Sequence, residues 1–299
     1  MTAVLRVATR GSALARSQTD RVIAALGVDA EPVIVQTRGD KDRTSPIHVI
    51  AGTGVFVKEV QEAVLDHRAD LAVHSAKDLP ARPVDGLVIG AFPKRGDPRD
   101  ALVGSTLAGL GAGATVATGS VRRRAQLANL RPDLTFAELR GNVATRIDKA
   151  AEFAAVVIAF AALERLDLTA RAAEVLDPTT MLPQVGQGAL AVECRADDAE
   201  VRDRLAAVDD APTRAAVEAE RAYLAELGSG CDLPIGALAH WFPDDTVTLH
   251  ALLASVDGHI VLRATITDSD PVAAGRAAAE QLLHRDGGAS LLADAGLRR

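Results

Sequence analysis

Apolar positions in the first ninety residues come in two alternating lengths. Short runs at Val4–Ala8, Val33–Thr37, Leu71–His74 and Leu87–Ala91 read as buried strands. Between them, Ala13–Leu26 and Val55–Leu65 repeat their apolar positions every three to four residues, the spacing of an amphipathic helix. This alternation predicts a mainly parallel sheet covered on both faces. A glycine-rich stretch, Gly104–Gly113, breaks the pattern and reads as a boundary or hinge.

The alternation then resumes. Thr115–Ala117, Thr135–Leu139 and Ala155–Ala159 read as strands, and Val121–Leu130, Asn142–Ala151 and Ala161–Leu166 as helices. Ala189–Cys194 is again strand-like. A third region holds a helix at Pro212–Leu227, strands near Thr246–Leu252 and His259–Ile266, a helix around Val272–His284 and another near the C-terminus. The expected fold is α/β: two similar lobes followed by a small α+β domain. A local echo supports the likeness of the lobes: Val7-Ala8-Thr9-Arg10-Gly11-Ser12 resembles Val116-Ala117-Thr118-Gly119-Ser120. Each follows a strand and opens a helix.

Composition narrows the function. Aromatic residues make up 3% of the 299 residues, so the cores must be built from Ala, Val, Leu and Ile. The net charge of −7 and the scarcity of aromatics argue against a nucleic-acid partner. The longest apolar run, Phe153–Leu163, falls short of the roughly 20 residues of a membrane span. The N-terminal residues lack the pattern of a secretory leader, so a cytoplasmic location is expected, with Cys194 and Cys231 reduced. No Cys/His cluster has zinc-ligand spacing, and no metal is expected.

Polar and basic residues recur at four strand-to-helix junctions: Thr9–Ser12, His74–Asp78, Thr118–Arg124 and Arg140–Arg146. Strand C-termini face the ligand crevice in open α/β sheets, and helix N-termini offer N–H groups to anions. Arginine adds a planar fork that fits a carboxylate. The four junctions together predict a site for a polyanion, although Ser12 and Ser120 also suit ordinary N-caps and Arg122–Arg124 a solvated face. No phosphate-loop signature is present, so carboxylates are as good a target as phosphates. Asp78, beside Lys77 and before Leu79-Pro80, is either a counter-ion or a stabiliser of positive charge on a ligand. Cys231 lies in a glycine-framed loop, whereas Cys194 suits a buried strand.

These residues resemble the porphobilinogen deaminase family. The resemblance is carried by His74-Ser75-Ala76-Lys77-Asp78-Leu79-Pro80, Asp97-Pro98-Arg99-Asp100, Ser120-Val121-Arg122-Arg123, Arg140-Gly141-Asn142-Val143-Ala144-Thr145-Arg146, Leu182-Pro183-Gln184-Val185-Gly186-Gln187-Gly188-Ala189 and Gly230-Cys231 with Pro234-Ile235-Gly236. It implies two lobes similar to periplasmic binding proteins, residues 1–95 with 189–208 and residues 96–188, and a third domain at 209–299. It implies a monomeric transferase that joins four porphobilinogen molecules head to tail, releasing ammonia, to give hydroxymethylbilane. A dipyrromethane cofactor is implied on Cys231 through a thioether, with Ser75, Lys77, Thr118, Ser120, Arg122, Arg123, Arg140, Gly141 and Asn142 around it. Asp78 is the implied catalytic carboxylate, and Arg10, Ser12, Gln18, Arg146, Arg165 and Gln187 the implied substrate-binding residues. The chain departs from the family at Thr53 and Val49, where lysines are common, and at Asp232, where Gln or Arg is frequent. The rival readings are a solute-binding protein for a carboxylated ligand and a deaminase turned to a regulatory role.

Overall fold

The computed structural model describes residues 4–37, 57–228 and 233–294. The chain passes through β1 (Leu5–Arg10), α1 (Ala13–Leu26), β2 (Ala30–Val35), α2 (Lys58–Leu65), β3 (Leu71–Ser75) and β4 (Leu87–Ala91). It continues with β5 (Asp100–Val103), β6 (Thr115–Ala117), α3 (Val121–Leu130), β7 (Thr135–Ala137), α4 (Val143–Asp148), β8 (Ala155–Ala159), α5 (Phe160–Arg165) and β9 (Glu174–Val175). The last part holds β10 (Leu190–Arg195), α6 (Ala199–Ala206), α7 (Ala211–Leu227), β11 (Ile235–Trp241), β12 (Val247–Ala254), β13 (Val261–Asp268), α8 (Pro271–Glu280) and α9 (Gly288–Asp294). Residues 49, 53 and 230–232, singled out in the sequence, lie outside the described residues. Among the described residues no helix is long and apolar enough to cross a membrane.

The chain forms two compact units, Met1–Gly96 with Gly188–Arg214, and Asp97–Gln187 with Ala215–Arg299. The first holds a five-stranded sheet in the order β2-β1-β3-β10-β4. β1 runs parallel to β2 and β3, while β10 is antiparallel to β3 and β4. Helix α1 starts where Ser12 Oγ accepts the Ala15 N–H, and ends at Gly27 in the left-handed region, φ 62°. One sheet face buries Leu5, Val7, Leu71, Val73, Leu190 and Val192 with Val22 of α1 and Leu205 of α6. The other buries Ala8 and Ala72 with Val60, Ala63 and Val64 of α2. Full burial of a Val or Leu side chain contributes about 1.5–3 kcal/mol, so these two layers fix the lobe.

The second unit contains a five-stranded sheet in the order β7-β6-β8-β5-β9, with β6 parallel to β7 and β8, and β5 antiparallel to β8 and β9. Its remaining residues form an antiparallel sheet, β11-β12-β13. One face of that sheet packs Ala237, Leu249 and Ala251 against Ala219 and Tyr223 of α7 and Ala278 of α8. The opposite face packs Leu238, Leu252 and Ala254 against Ala125 of α3 and Leu182.

The five-stranded sheets are mainly parallel, as the alternation predicts, with one antiparallel strand in each. Two expectations differ from this arrangement. Gly104–Gly113 is no boundary: it lies inside the second unit between β5 and β6, and the chain changes unit between Gly96 and Asp97 instead. The third domain has three strands rather than two. β11 is buried from Ile235 to Ala239, so it lacks the polar alternation that marks a half-exposed strand.

Candidate active site

In the first unit, β1 leads into Arg10-Gly11-Ser12, and Ser12 caps α1 with its Oγ 3.2 Å from the Ala15 nitrogen. Thr9 is fully buried and donates through Oγ1 to the Ala15 carbonyl. β3 leads into Ser75 and then a single 3-10 turn, Ala76–Asp78. The Ala76 N–H donates to Ala189 O at 3.0 Å, and the Leu79 N–H to Ala76 O at 3.3 Å. Ala76 and Leu79 are buried, which leaves Lys77 and Asp78 half-exposed on the turn. Lys77 is engaged by a neighbour. Asp78 makes no side-chain hydrogen bond or ion pair among the described residues, so the counter-ion reading has no partner there. Gln18, expected at the substrate, is enclosed within the lobe at 5% exposure.

In the second unit, Thr118 and Ser120 end β6 and open α3. The Ser120 N–H donates to Thr118 Oγ1 at 3.2 Å, and Ser120 Oγ accepts the Arg123 N–H. Arg140-Gly141-Asn142 opens α4, with Asn142 Oδ1 accepting from the Thr145 N–H at 2.9 Å. Gly141 has φ 111°, and a Cβ there would lie 2.8 Å from Thr145 Cγ2; both facts require glycine. Arg146 Nε donates to Gly141 O at 2.8 Å. Arg165 is half-buried in the last turn of α5 and has a partner of its own. Ser12, Ser120 and Asn142 thus all serve as helix caps, whatever else they bind.

Arg122, Arg123 and Gln187 are drawn into the interior of the second unit. All three are buried around Asp100, the first residue of β5, which is itself fully enclosed. Arg122 Nη2 lies 2.8 Å from Asp100 Oδ2, and its Nη1 donates to Leu182 O. Arg123 reaches Asp100 Oδ1 through Nε and Nη2 and Val157 O through Nη1. Gln187 Nε2 donates to Asp100 Oδ1 at 2.9 Å and to Pro98 O at 2.7 Å. Burial alone would raise the Asp100 carboxyl, but the two guanidiniums outweigh it and hold the group far below its ordinary 3.8. In this structure, then, most of the donor capacity of Arg122 and Arg123 goes to the protein interior. Asp100, part of the Asp97-Pro98-Arg99-Asp100 motif, is a functional candidate to which the sequence assigned no role. An acid opening the apolar run Ala101–Val103 was the available signal.

Two guanidinium nitrogens at these junctions are different. Arg122 Nε and Arg140 Nη2 are buried and have no hydrogen-bond partner among the described residues. A buried unpaired donor is unfavourable by about 1–3 kcal/mol, and more when charged. Such donors mark places where an acceptor from outside the chain would be stabilised. The cluster of Arg122, Arg123 and Asp100 also carries one net positive charge, at the N-terminus of the ten-residue helix α3.

Residues 5–203 match the family model of the porphobilinogen deaminase dipyromethane cofactor binding domain, and residues 214–284 match that of the porphobilinogen deaminase C-terminal domain. The chain belongs to the porphobilinogen deaminase family. A porphobilinogen deaminase of Syntrophobacter fumaroxidans is 45% identical, with 99% of this chain and 96% of the relative covered. One from Acidothermus cellulolyticus is 47% identical over 94% and 91%. Among solved structures, an arginine-specific periplasmic binding protein of Salmonella typhimurium aligns at 13% identity, covering 69% of this chain and 91% of its own, with a TM-score of 0.39. Members of the family are transferases of tetrapyrrole synthesis. A dipyrromethane bears carboxylates, and the unpartnered nitrogens of Arg122 and Arg140 are donors of the kind it needs, so these residues fit the cofactor.

Proposed function

We propose that this chain condenses four porphobilinogen molecules head to tail, with loss of ammonia, to give hydroxymethylbilane, on a dipyrromethane held by a thioether to Cys231. When bound, the dipyrromethane supplies the pyrrole carbon to which the first substrate unit is joined. The observation that carries this reading is the pair of buried, unpartnered guanidinium nitrogens on Arg122 and Arg140. They sit at two of the junctions predicted to meet carboxylates. Arg140, Asn142 and Gly141 at the start of α4, and Thr118, Ser120 and Arg122 at the start of α3, hold the cofactor's carboxylates. Arg122 does so through Nε, while Arg123 and Gln187 act by fixing Asp100. Ser75 and Lys77 supply a hydroxyl and a point charge.

Arg10, Ser12, Arg146 and Arg165 bind the acetate and propionate groups of porphobilinogen, and Gln18 supports the helix behind Ser12. Asp78 stabilises the positive charge that develops on the pyrrole as ammonia leaves. Its half-exposed carboxylate, without a partner among the described residues, supports that role. The functional division of the chain is 1–95 with 189–208, 96–188, and 209–299. The protein works as a cytoplasmic monomer. A buried free thiol at Cys194, pushed up to about 11 by burial, suits a reducing compartment. Turnover of porphobilinogen tests the whole reading. Four ammonia molecules released per hydroxymethylbilane are expected. Binding of porphobilinogen without ammonia release would favour the solute-binding reading.

A further inference from the structure

The first lobe buries a second polar cluster that this mechanism does not use. His74 Nε2 lies 3.1 Å from Glu193 Oε2, and Gln61 Nε2 donates to the same oxygen at 2.8 Å. All three residues are at most 5% exposed. They meet on the sheet face covered by α2, among Ala8, Ala72, Val60 and Val64. The imidazole nitrogen and the carboxylate stand at ion-pair distance without the alignment of a hydrogen bond among the described residues, so Nε2 is buried with its hydrogen-bonding capacity unused. His74 belongs to β3, Glu193 to β10 and Gln61 to α2. The cluster therefore ties three elements together one residue before Ser75 and the turn that carries Asp78.

The second lobe shows that the fold does not need this cluster. Val7 pairs with Leu71 and Ala8 with Ala72, as Val116 pairs with Ala155 and Ala117 with Val156. Ser75 pairs with Leu190, as Ala159 pairs with Asp100. In this register His74 corresponds to Ile158, and Glu193 corresponds to Val103. Two apolar residues hold the same topology at the positions where the first lobe buries an imidazole and a carboxylate. Apolar replacements for a buried ion pair are commonly neutral or stabilising, so stability alone does not account for the cluster.

We propose that His74, Glu193 and Gln61 are positioning residues that hold the end of β3, and with it the Asp78 carboxylate, in its working place. The inference rests on the assignment of Asp78 as the catalytic carboxylate. Only three residues separate His74 from Asp78, and buried Ala76 and Leu79 clamp that segment. A displacement at His74 is therefore passed to the carboxylate. An error of about 1 Å in such a group slows a reaction about 10²-fold.

The test installs the second lobe's residues in the cofactor-loaded enzyme, as His74→Ile with Glu193→Val and Gln61→Leu. Expected are a melting temperature at or above that of the parent, unchanged cofactor content, KM within about twofold and kcat at least tenfold lower. His74→Gln retains a polar end of similar reach beside the carboxylate and should recover kcat to within about threefold. Parental kcat in the folded triple variant would overturn the proposal. If the triple variant does not fold, Gln61→Leu alone decides. It should lower kcat severalfold at constant KM and cofactor content, and an unchanged kcat rejects the proposal. Asp78→Asn is run in parallel. Full turnover there removes the catalytic assignment, and this inference with it. A slow Asp78→Asn beside a normal triple variant removes the inference alone.

Discussion

The two five-stranded lobes share strand order, strand direction and register, yet they bury charge in different places. In the second lobe the antiparallel strand begins with Asp100, and the helix after the first parallel strand answers with Arg122 and Arg123. In the first lobe the matching strand begins with Leu190, and the same two turns of helix carry Leu14 and Ala15 behind the Ser12 cap. On the opposite face the pattern reverses: the first lobe has His74 and Glu193, the second Ile158 and Val103. One architecture thus tolerates either a charged or an apolar layer at both places. The charges are then better explained by what each lobe does. The second lobe assembles net positive charge near its helix N-terminus and leaves arginine nitrogens unpaired, which suits holding carboxylates. The first presents a single half-exposed carboxylate on a short turn, which suits stabilising a cation.

Replacing Asp100 by Leu, the first lobe's residue, should break the comparison most severely. Two buried guanidiniums would lose their anion, a loss on the order of 3–5 kcal/mol in unfolding free energy, measured by denaturant titration. Leu190→Asn in the first lobe should have a much smaller effect. The same carboxylate predicts an acid limb. Its folded-state value lies below the ordinary 3.8, so its contribution is complete above the unfolded value and is lost as pH falls below it. Asp100→Asn should therefore flatten the decline in stability below about pH 4.

Asp78→Asn comes next. A folded, cofactor-bearing variant should be slowed at least ~10²-fold in single turnover, with Asp78→Glu retaining more activity than Asn. Near-normal turnover in Asp78→Asn would return Asp78 to the role of a counter-ion and erase the functional contrast between the lobes. Arg140→Ala and Arg146→Ala should each weaken binding or rate by roughly 10- to 150-fold, the worth of one charge-assisted hydrogen bond. Parental kinetics in both would refute the carboxylate array. The smallest effect is expected at Thr53→Lys, which restores a cation common in the family. Turnover should change little there, whereas a gain above tenfold would show that this chain lacks a cation it needs.

Local signals disclosed much of this architecture. Helix α1 has the limits that its pattern predicts, because Ser12 and Gly27 supply both caps. The echo between Val7–Ser12 and Val116–Ser120 marks equivalent strands: Val7 and Val116 hold the same place in the two registers, and Arg10 is the extra residue of the first. Long-range pairing was hidden. Nothing in the periodicity places β10 between β3 and β4, because strand order is not encoded in spacing. The burial of Arg122 and Arg123 was equally invisible, since their partner lies on a strand 22 and 23 residues earlier. Their run of three arginines looks like a solvated face, and only Arg124 is exposed. The pairing of His74 with Glu193 was missed for the same reason. They are 119 positions apart in the chain and meet only through the antiparallel pairing of β3 with β10.

The central claim is that the second lobe's arginines serve a carboxylate-bearing group anchored in the third domain. Electrospray mass measurement of the purified chain and of Cys231→Ser tests it most directly. The account predicts a covalent excess equal to one dipyrromethane on the parent chain, with its pyrrole colour in acidic aldehyde reagent. Cys231→Ser should show the bare mass and no colour, and Cys194→Ser should keep both. A parent chain at its bare mass, or an excess that survives in Cys231→Ser, would contradict it.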